Sequence, residues 1–339
     1  MSTIANRRLA NQHLITTSLN SPEQVVSWFG AMQAQEYLLA KWALGLRLNG
    51  TNDYQIEQAF NEGKILRTHA MRPTWHFVTP EDIRWIQKLT AHRVHQINAY
   101  MARQQEIDDA LLARCVDIIA KALEGGKQLT RTELANKLTQ AGIEGAKGVR
   151  LAYIVMYAEL DCVICSGALK GKQHTYALMD ERAPSGRNLA DDEALAELIR
   201  RFFTSHGPAM VEDFVFWSGL TKATAREGLD MVSAEIVPEE FNGKTYYASP
   251  EMTIPDHIMP VAYLLPPYDE YGIAYRDSSD FFDVEFLKLA TERPIFNGLA
   301  VYDGYIIGNW KRTIQKNKVM IEFAPFRPFS DVEMGAFAI

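Results

Sequence analysis

Apolar positions in this chain fall into short helical runs, interrupted at intervals by paired segments of β character. The first run extends from about Pro22 to Ala31, with Ser21 placed to cap it, Pro22 at its first position and Glu23 at the positive end of its dipole. A second apolar helix is predicted from Tyr37 to Leu48, closed by the turn pair Asn49-Gly50, and a shorter one from Tyr54 to Asn61 ends at Gly63. Two β-like runs follow, Lys64–His69 and Thr74–Val78, turning at Met71-Arg72-Pro73. Thr79-Pro80-Glu81-Asp82 then opens another helix, supplying a cap, a proline in the first turn and two acids.

The same succession returns twice. Thr130-Arg131-Thr132-Glu133 has the form of a capping box and starts a helix to about Gln140. A helix near Ala146–Leu160 comes next, then strands Cys162–Ser166 and Gln173–Leu178, joined by the turn from Gly167 to Lys172. Farther on, helices are predicted over Asp191–Ser205, over Pro208–Trp217 and, capped by Thr221, to about Val232. Strands Glu235–Pro238 and Lys244–Ala248 flank Phe241-Asn242-Gly243. Helices closed by a small hairpin make the order of a winged helix, although no repeat is visible in the letters themselves. Past Pro250 the chain becomes Pro-rich and aromatic, through Leu264-Leu265-Pro266-Pro267-Tyr268-Asp269. Two hairpins end it, one turning at Asp303-Gly304 and one in which Lys316-Asn317 separates Thr313–Gln315 from Val319–Phe323. The predicted fold class is α+β: tandem winged-helix (helix-turn-helix) modules over 1–90, 91–185 and 186–250, then a small β-rich C-terminal domain over 251–339.

Composition adds bounds to this picture. With 339 residues, 47% apolar and 23% charged, the chain has the make-up of a folded protein of several modules. No apolar run reaches the roughly 18 to 20 residues of a membrane span, and Asn and Gln interrupt the first segment where a signal peptide would be apolar. Cys115, Cys162 and Cys165 give no disulfide framework, so a reduced, cytoplasmic setting is expected, nucleoid-associated when on DNA. The net charge of −7 argues at first against a nucleic-acid partner. Its distribution changes that: residues 1–180 carry 20 basic against 17 acidic side chains, and the rest carry 15 against 25. An acidic half can keep the protein soluble while a mildly basic face meets phosphate.

The candidate chemistry centres on Gln33 and Gln35, at the junction of two predicted helices. Residues i and i+2 share a side only in extended backbone; in a helix they diverge by about 200°. Two carboxamides on one side can hold a water with both donors and acceptors, yet neither takes a proton near neutral pH. Such a pair suits a leaving group that is already activated, as in an N7- or N3-alkylated purine, whose positive charge weakens the glycosidic bond. Orienting the water and stabilising an oxocarbenium-like transition state would then suffice. The plainer alternative is that both glutamines cap or bridge the neighbouring helices.

Several segments carry a resemblance. Gln33-Ala34-Gln35, Arg67-Thr68 and Met71-Arg72-Pro73-Thr74-Trp75-His76 match, in order and spacing, winged-helix DNA glycosylases of the AlkZ and YcaQ type. Gly207-Pro208-Ala209 with Asp213, Trp217-Ser218-Gly219-Leu220, Leu264–Asp269, Asp303-Gly304 and Gly308-Asn309-Trp310-Lys311-Arg312 continue the match over nearly the whole chain. The resemblance implies three winged helices, a β-rich C-terminal domain and monofunctional excision of alkylated bases, with double-stranded DNA as the partner; nothing in the sequence demands a dimer, so a monomer is expected. It assigns catalysis to a Gln-apolar-Gln triplet, here Gln33 and Gln35, in the form associated with bulky adducts and cross-links. Pro73 departs from the family's usual Gly, and Glu36-Tyr37 from a common Asp-Pro-like pair. Some members of such a family bind DNA without chemistry, so a non-catalytic winged-helix regulator is the alternative function.

The remaining candidates are DNA contacts. Arg67, Arg72 and His76, on or beside the first hairpin, either touch phosphate and line the lesion site or, for His76, belong to a half-buried strand. Lys170, Lys172 and Gln173, at the tip of the second hairpin, read either as a DNA-contacting wing or as a solvated turn. Cys162 and Cys165 form a lone CxxC whose sulfurs would alternate across a strand, and His92 with His95 has no third ligand. No metal or cofactor is expected. No Lys stands out as a Schiff-base nucleophile, which favours hydrolysis over lyase chemistry.

Overall fold

Helices in this protein begin and end where capping chemistry is available. In the computed structural model, which describes residues 4–250, 261–282, 297–316 and 318–338, Ser21 accepts from the Gln24 amide and starts the helix Pro22–Phe29. Gly30, at φ +79°, stops it. Asn52 and Gln55 form a reciprocal capping box at Asp53–Glu62, which Gly63 closes in the left-handed region. Thr130 and Glu133 form the predicted box of Arg131–Gln140.

Two predicted starts move, for identifiable reasons. Thr79 does not cap a helix; the long helix begins at Ile83, and the Thr79 hydroxyl donates to Asp82 at 2.9 Å. Asp82 is drawn inward by Arg187, Arg201 and the Trp85 indole. The helix expected from Pro208 begins at Val211. Ala209 and Tyr247 exchange backbone hydrogen bonds instead, and Arg8 takes the Pro208 carbonyl.

Four antiparallel sheets accompany the helices. The first comprises β1 (Met32–Gln33), β2 (Leu66–Ala70) and β3 (Thr74–Val78) in the order β1-β3-β2. In the second, β4 (Leu129–Thr130), β5 (Ile164–Ser166) and β6 (Thr175–Leu178) run β4-β6-β5. The hairpin of β7 (Val237–Phe241) and β8 (Lys244–Ala248) is the third. The last joins β9 (Ala262–Leu265), β10 (Gly298–Tyr302), β11 (Tyr305–Gln315) and β12 (Lys318–Pro325) in the order β12-β11-β10-β9. Asp303-Gly304 turns β10 into β11 as predicted. In the other predicted turn Asn317 lies outside the described residues, as does the start of the predicted terminal domain, 251–260.

Helices followed by a hairpin therefore occur three times, with members the sequence did not announce: Ile4–Asn11, Asp109–Leu123 and the short terminal Asp331–Phe337. The division placed at 90/91 falls inside one 22-residue helix, Ile83–Gln104. One core joins Leu9, Leu66, Ile86, Phe202, Trp217, Tyr271 and Leu299. The first and third successions and the terminal sheet thus pack as one body. The first succession adds a cluster of its own around Val25, Phe29, Leu44, Phe60 and Phe77, and the second keeps one around Cys115, Ile119, Leu134, Leu138 and Ile154, while its Cys165 and Met179 reach the shared core. No helix among the described residues is long and apolar enough to cross a membrane.

Candidate functional site

The backbone after Gly30 leaves the helix and extends, and that makes the site. Met32 pairs with Phe77 and Gln33 with His76 across β1 and β3, and the Ala34 amide donates to the Trp75 carbonyl at 2.7 Å. Beyond this point the ladder is completed by a side chain: Gln35 Oε1 accepts the Trp75 amide at 3.3 Å. Gln33 is buried and Gln35 is exposed at the strand's end. Arg67 on β2 fastens the same stretch, its Nε donating to the Ala34 carbonyl at 2.9 Å and its Nη2 to that of Gln35 at 3.1 Å. Its guanidinium lies 4.2 Å from the centre of the Trp75 ring, a cation–π contact. Burial pushes the Arg67 pKa down to about 10, which leaves it charged at neutral pH.

Around Gln33 the side chains are polar, buried and incompletely used. His76 stands opposite Gln33 on one side and Thr68 on the other, so the three share one face of the sheet. Burial, reinforced by the charge of Arg72, pushes the His76 pKa down to about 3 and keeps the ring neutral. With Nδ1 donating to the Thr74 carbonyl at 3.0 Å, Nε2 is an acceptor. Arg72 is half-buried in the turn between β2 and β3, 5.5 Å from the Phe216 ring centre, and desolvation lowers its pKa against the pull of Glu270. Gln33 Oε1, His76 Nε2, Thr74 Oγ1 and Arg72 Nε and Nη2 have no hydrogen-bond partner among the described residues. Buried polar atoms are ordinarily satisfied, so five such atoms on one short sheet and its turn mark a place built for a polar guest.

Glu270 reaches this place from the other end of the chain. The Gln33 amide donates to its Oε1 at 2.5 Å, and His206 Nε2 and Trp217 Nε1 lie 3.2 and 3.1 Å from its Oε2. Burial opposes its ionisation, but His206 and the Gln33 amide outweigh burial and hold the carboxyl below its ordinary value. Asp269, beside it, forms a two-pronged buried ion pair with Arg47 at 2.8 and 2.9 Å and caps the short helix Glu270–Ile273. That pair moors the Pro-rich segment to the first helices.

The family described as DNA glycosylase AlkZ-like matches residues 26–338. The chain belongs to the AlkZ-like DNA glycosylase family. It is 22% identical over 345 aligned positions to the interstrand DNA cross-link repair glycosylase of Streptomyces sahachiroi, covering 96% of this chain and 90% of the relative. The solved structure of Streptomyces sahachiroi DNA glycosylase AlkZ superposes with a TM-score of 0.81 at 20% identity, over 98% of this chain and 94% of that one. The fold is therefore that of AlkZ, and membership places this chain among enzymes rather than regulators.

The other predicted residues of this family member lie nearby but in a different setting. Lys170 and Gln173 close a tight turn by exchanging backbone hydrogen bonds, and Gly171 supplies the positive φ. Lys170 is ion-paired with Glu133 at 2.6 Å, while Lys172 and Gln173 are exposed. The Leu169 amide donates to Asn61 Oδ1 at 2.8 Å, so this hairpin docks against the first helices. A cleft of about 380 Å³ results, with Arg67 and Trp75 on one wall and Arg131, Gln173, His174 and Tyr176 on the other. The three cysteines are unpaired, and burial raises Cys162 to about 11 and Cys165 to about 12, so both are thiols. No cluster of three metal-ligating side chains occurs among the described residues.

Sequence reasoning missed Glu270, His206 and Trp217 as parts of the site. Trp217 and Asp269 lay in quoted motifs, but nothing local marks Glu270 as differing from Asp269, its neighbour with a plain mooring role.

Proposed function

We propose that the enzyme hydrolyses the N-glycosidic bond of N7- or N3-alkylated purines in double-stranded DNA, with Gln33 and Gln35 orienting the water. The observation that carries this reading is the buried, unpartnered Gln33 Oε1 beside the neutral acceptor His76 Nε2 and the free donors of Arg72. Those groups can bind a water and the reacting sugar without taking up a proton. An alkylated purine is cationic, so C1′–N bond cleavage returns the bonding pair to the base and discharges it. Water forms the new bond to C1′ and releases one proton to solvent; no strong base is required. Gln35 projects from the exposed end of the same stretch, where DNA can approach.

The frame is read as three winged helices with a β-rich terminal domain, supported by the recurrence of helices and hairpin. Lys170, Lys172 and Gln173 act as the wing on phosphate or groove, and Arg67 and His76, being buried, and the half-buried Arg72 line the lesion site rather than track the backbone. The Streptomyces relative's name as a cross-link repair glycosylase supports bulky or cross-linked N7 adducts as substrates. The test is release of free base from duplexes carrying 7-methylguanine or a bulkier N7 adduct, by the unaltered enzyme and by Gln33→Ala/Gln35→Ala. The reading expects release that the double substitution abolishes; equal release by both proteins would remove the glutamines from the chemistry.

A further inference from the structure

We infer that Glu270 is a positioning residue for base excision, holding Gln33 in its working geometry from behind and presenting a fixed negative charge beneath the reacting sugar. The inference rests on the reading of Gln33 given above.

β1 is an edge strand of only two residues, and the Gln33 amide points away from β3, on a side where no further strand pairs with it among the described residues. An edge amide is normally satisfied by water, or by any neutral acceptor. Here it is met by a fully buried carboxylate from a residue 237 positions later. Burying a carboxylate is costly, and a neutral side chain would satisfy the amide at lower cost. Two other buried acids are tied to arginine, Asp269 to Arg47 and Asp82 to Arg201, whereas Glu159, like Glu270, is paired with a histidine, His69. Among the described residues the one ion-pair partner of Glu270 is His206. Arg72 is close enough for its charge to be felt, yet its Nε and Nη2 remain uncommitted.

The donors that hold Glu270 are themselves locked. His206 stacks on Phe202 at 4.7 Å between ring centres, meets Phe29 edge-on at 5.1 Å, and is held through Nδ1 by Ser205 at 2.8 Å. Trp217 is packed against Phe202 and His206. Both carboxylate oxygens accept hydrogen bonds, so Glu270 is not placed to take the proton from water. Its negative charge instead favours the cationic, oxocarbenium-like transition state, and its bond to the Gln33 backbone amide fixes the strand from which the carboxamide projects.

The test measures single-turnover release of 7-methylguanine from duplex DNA against pH, with DNA affinity and melting temperature in parallel. Glu270→Gln is expected to lower the rate on the order of 10²-fold while leaving DNA affinity within about twofold, since the residue is buried and offers no phosphate contact. Trp217→Phe keeps an aromatic ring, though a smaller one, and removes one donor, and covers the case in which Glu270→Gln fails to fold. Losing that donor raises the carboxyl pKa, so the acid limb of the rate profile should move to higher pH than in the unaltered enzyme. A folded Glu270→Gln with the unaltered rate, or a Trp217→Phe profile that coincides with the unaltered one, would overturn the proposal while leaving the glutamine reading intact. A rate loss matched by equal loss of DNA affinity would reduce Glu270 to fold support and also overturn it. Release that survives Gln33→Ala/Gln35→Ala, or no release by the unaltered enzyme, would remove the glutamine reading and this inference with it.

Discussion

The hairpins β2–β3 and β5–β6 each follow a set of helices, yet they put their charged residues to opposite uses. In the first, Arg67 and His76 are buried, Arg72 is half-buried, and β2 is covered along its whole length. In the second, the charges gather at an exposed tip, where Lys170 is ion-paired across the surface with Glu133 and Lys172 stands free in solvent. The difference lies in what packs on top. The first hairpin is capped by the Pro-rich segment bearing Asp269 and Glu270, and by Glu159, Gln87 and Ser166, which supply polar partners inside the protein. Nothing comparable covers the tip of the second among the described residues. One local architecture thus serves once as an interior polar site and once as a surface probe.

Substitutions that act on one hairpin only should separate these uses. The largest effect is expected for Gln33→Ala, with loss of single-turnover excision on the order of 10²- to 10³-fold and little change in DNA affinity. Arg67→Ala comes next: it deletes two hydrogen bonds to the Ala34 and Gln35 carbonyls and the stack on Trp75. Denaturant unfolding should show a loss of roughly 2–4 kcal/mol, the range for a buried charged donor. Lys170→Ala/Lys172→Ala belongs to the other hairpin and should leave stability and excision at saturating DNA unchanged. It should weaken DNA binding and reduce the slope of log K against log salt by about 2. Full retention of the slope would show that this tip is only a solvated turn.

The smallest effect concerns pH. His76 is held neutral in the fold, with its pKa pushed down to about 3, whereas the unfolded chain takes up a proton near the ordinary value. The unfolded state therefore binds more protons between those limits, and stability falls as pH drops through that window. In His76→Asn the slope of unfolding free energy against pH between about 4 and 6 should be shallower by about 1 kcal/mol per pH unit. An unchanged slope would place a charged or solvated ring at this position.

Much of this division was legible in the sequence, for stated physical reasons. The predicted end of one helix near Ala31, the start of the next near Tyr37 and the i, i+2 spacing of Gln33 and Gln35 left room for an extended junction, and β1 lies there, after the helix stops at Gly30. Thr130 and Glu133 announced their helix because both halves of a capping box lie within four residues. The burial of the first hairpin was not legible. Arg67-Thr68-His69 reads as a polar strand, and only partners 90 or more residues away, such as Glu159 for His69 and Ser166 for the Arg67 amide, make it an interior one. Glu270 was hidden for the same reason. Its neighbour Asp269 has an equally acidic side chain, and what separates mooring from site is which face of a short helix meets Gln33.

The most direct test of the account is base release from a 7-methylguanine duplex under single turnover, by the unaltered enzyme and Gln33→Ala/Gln35→Ala, with DNA affinity measured on the same preparations. The account predicts release that disappears in the double variant while affinity stays within about twofold. Release at the unaltered rate by the double variant, or DNA binding without release by either protein, would contradict it and return the two glutamines to a structural role.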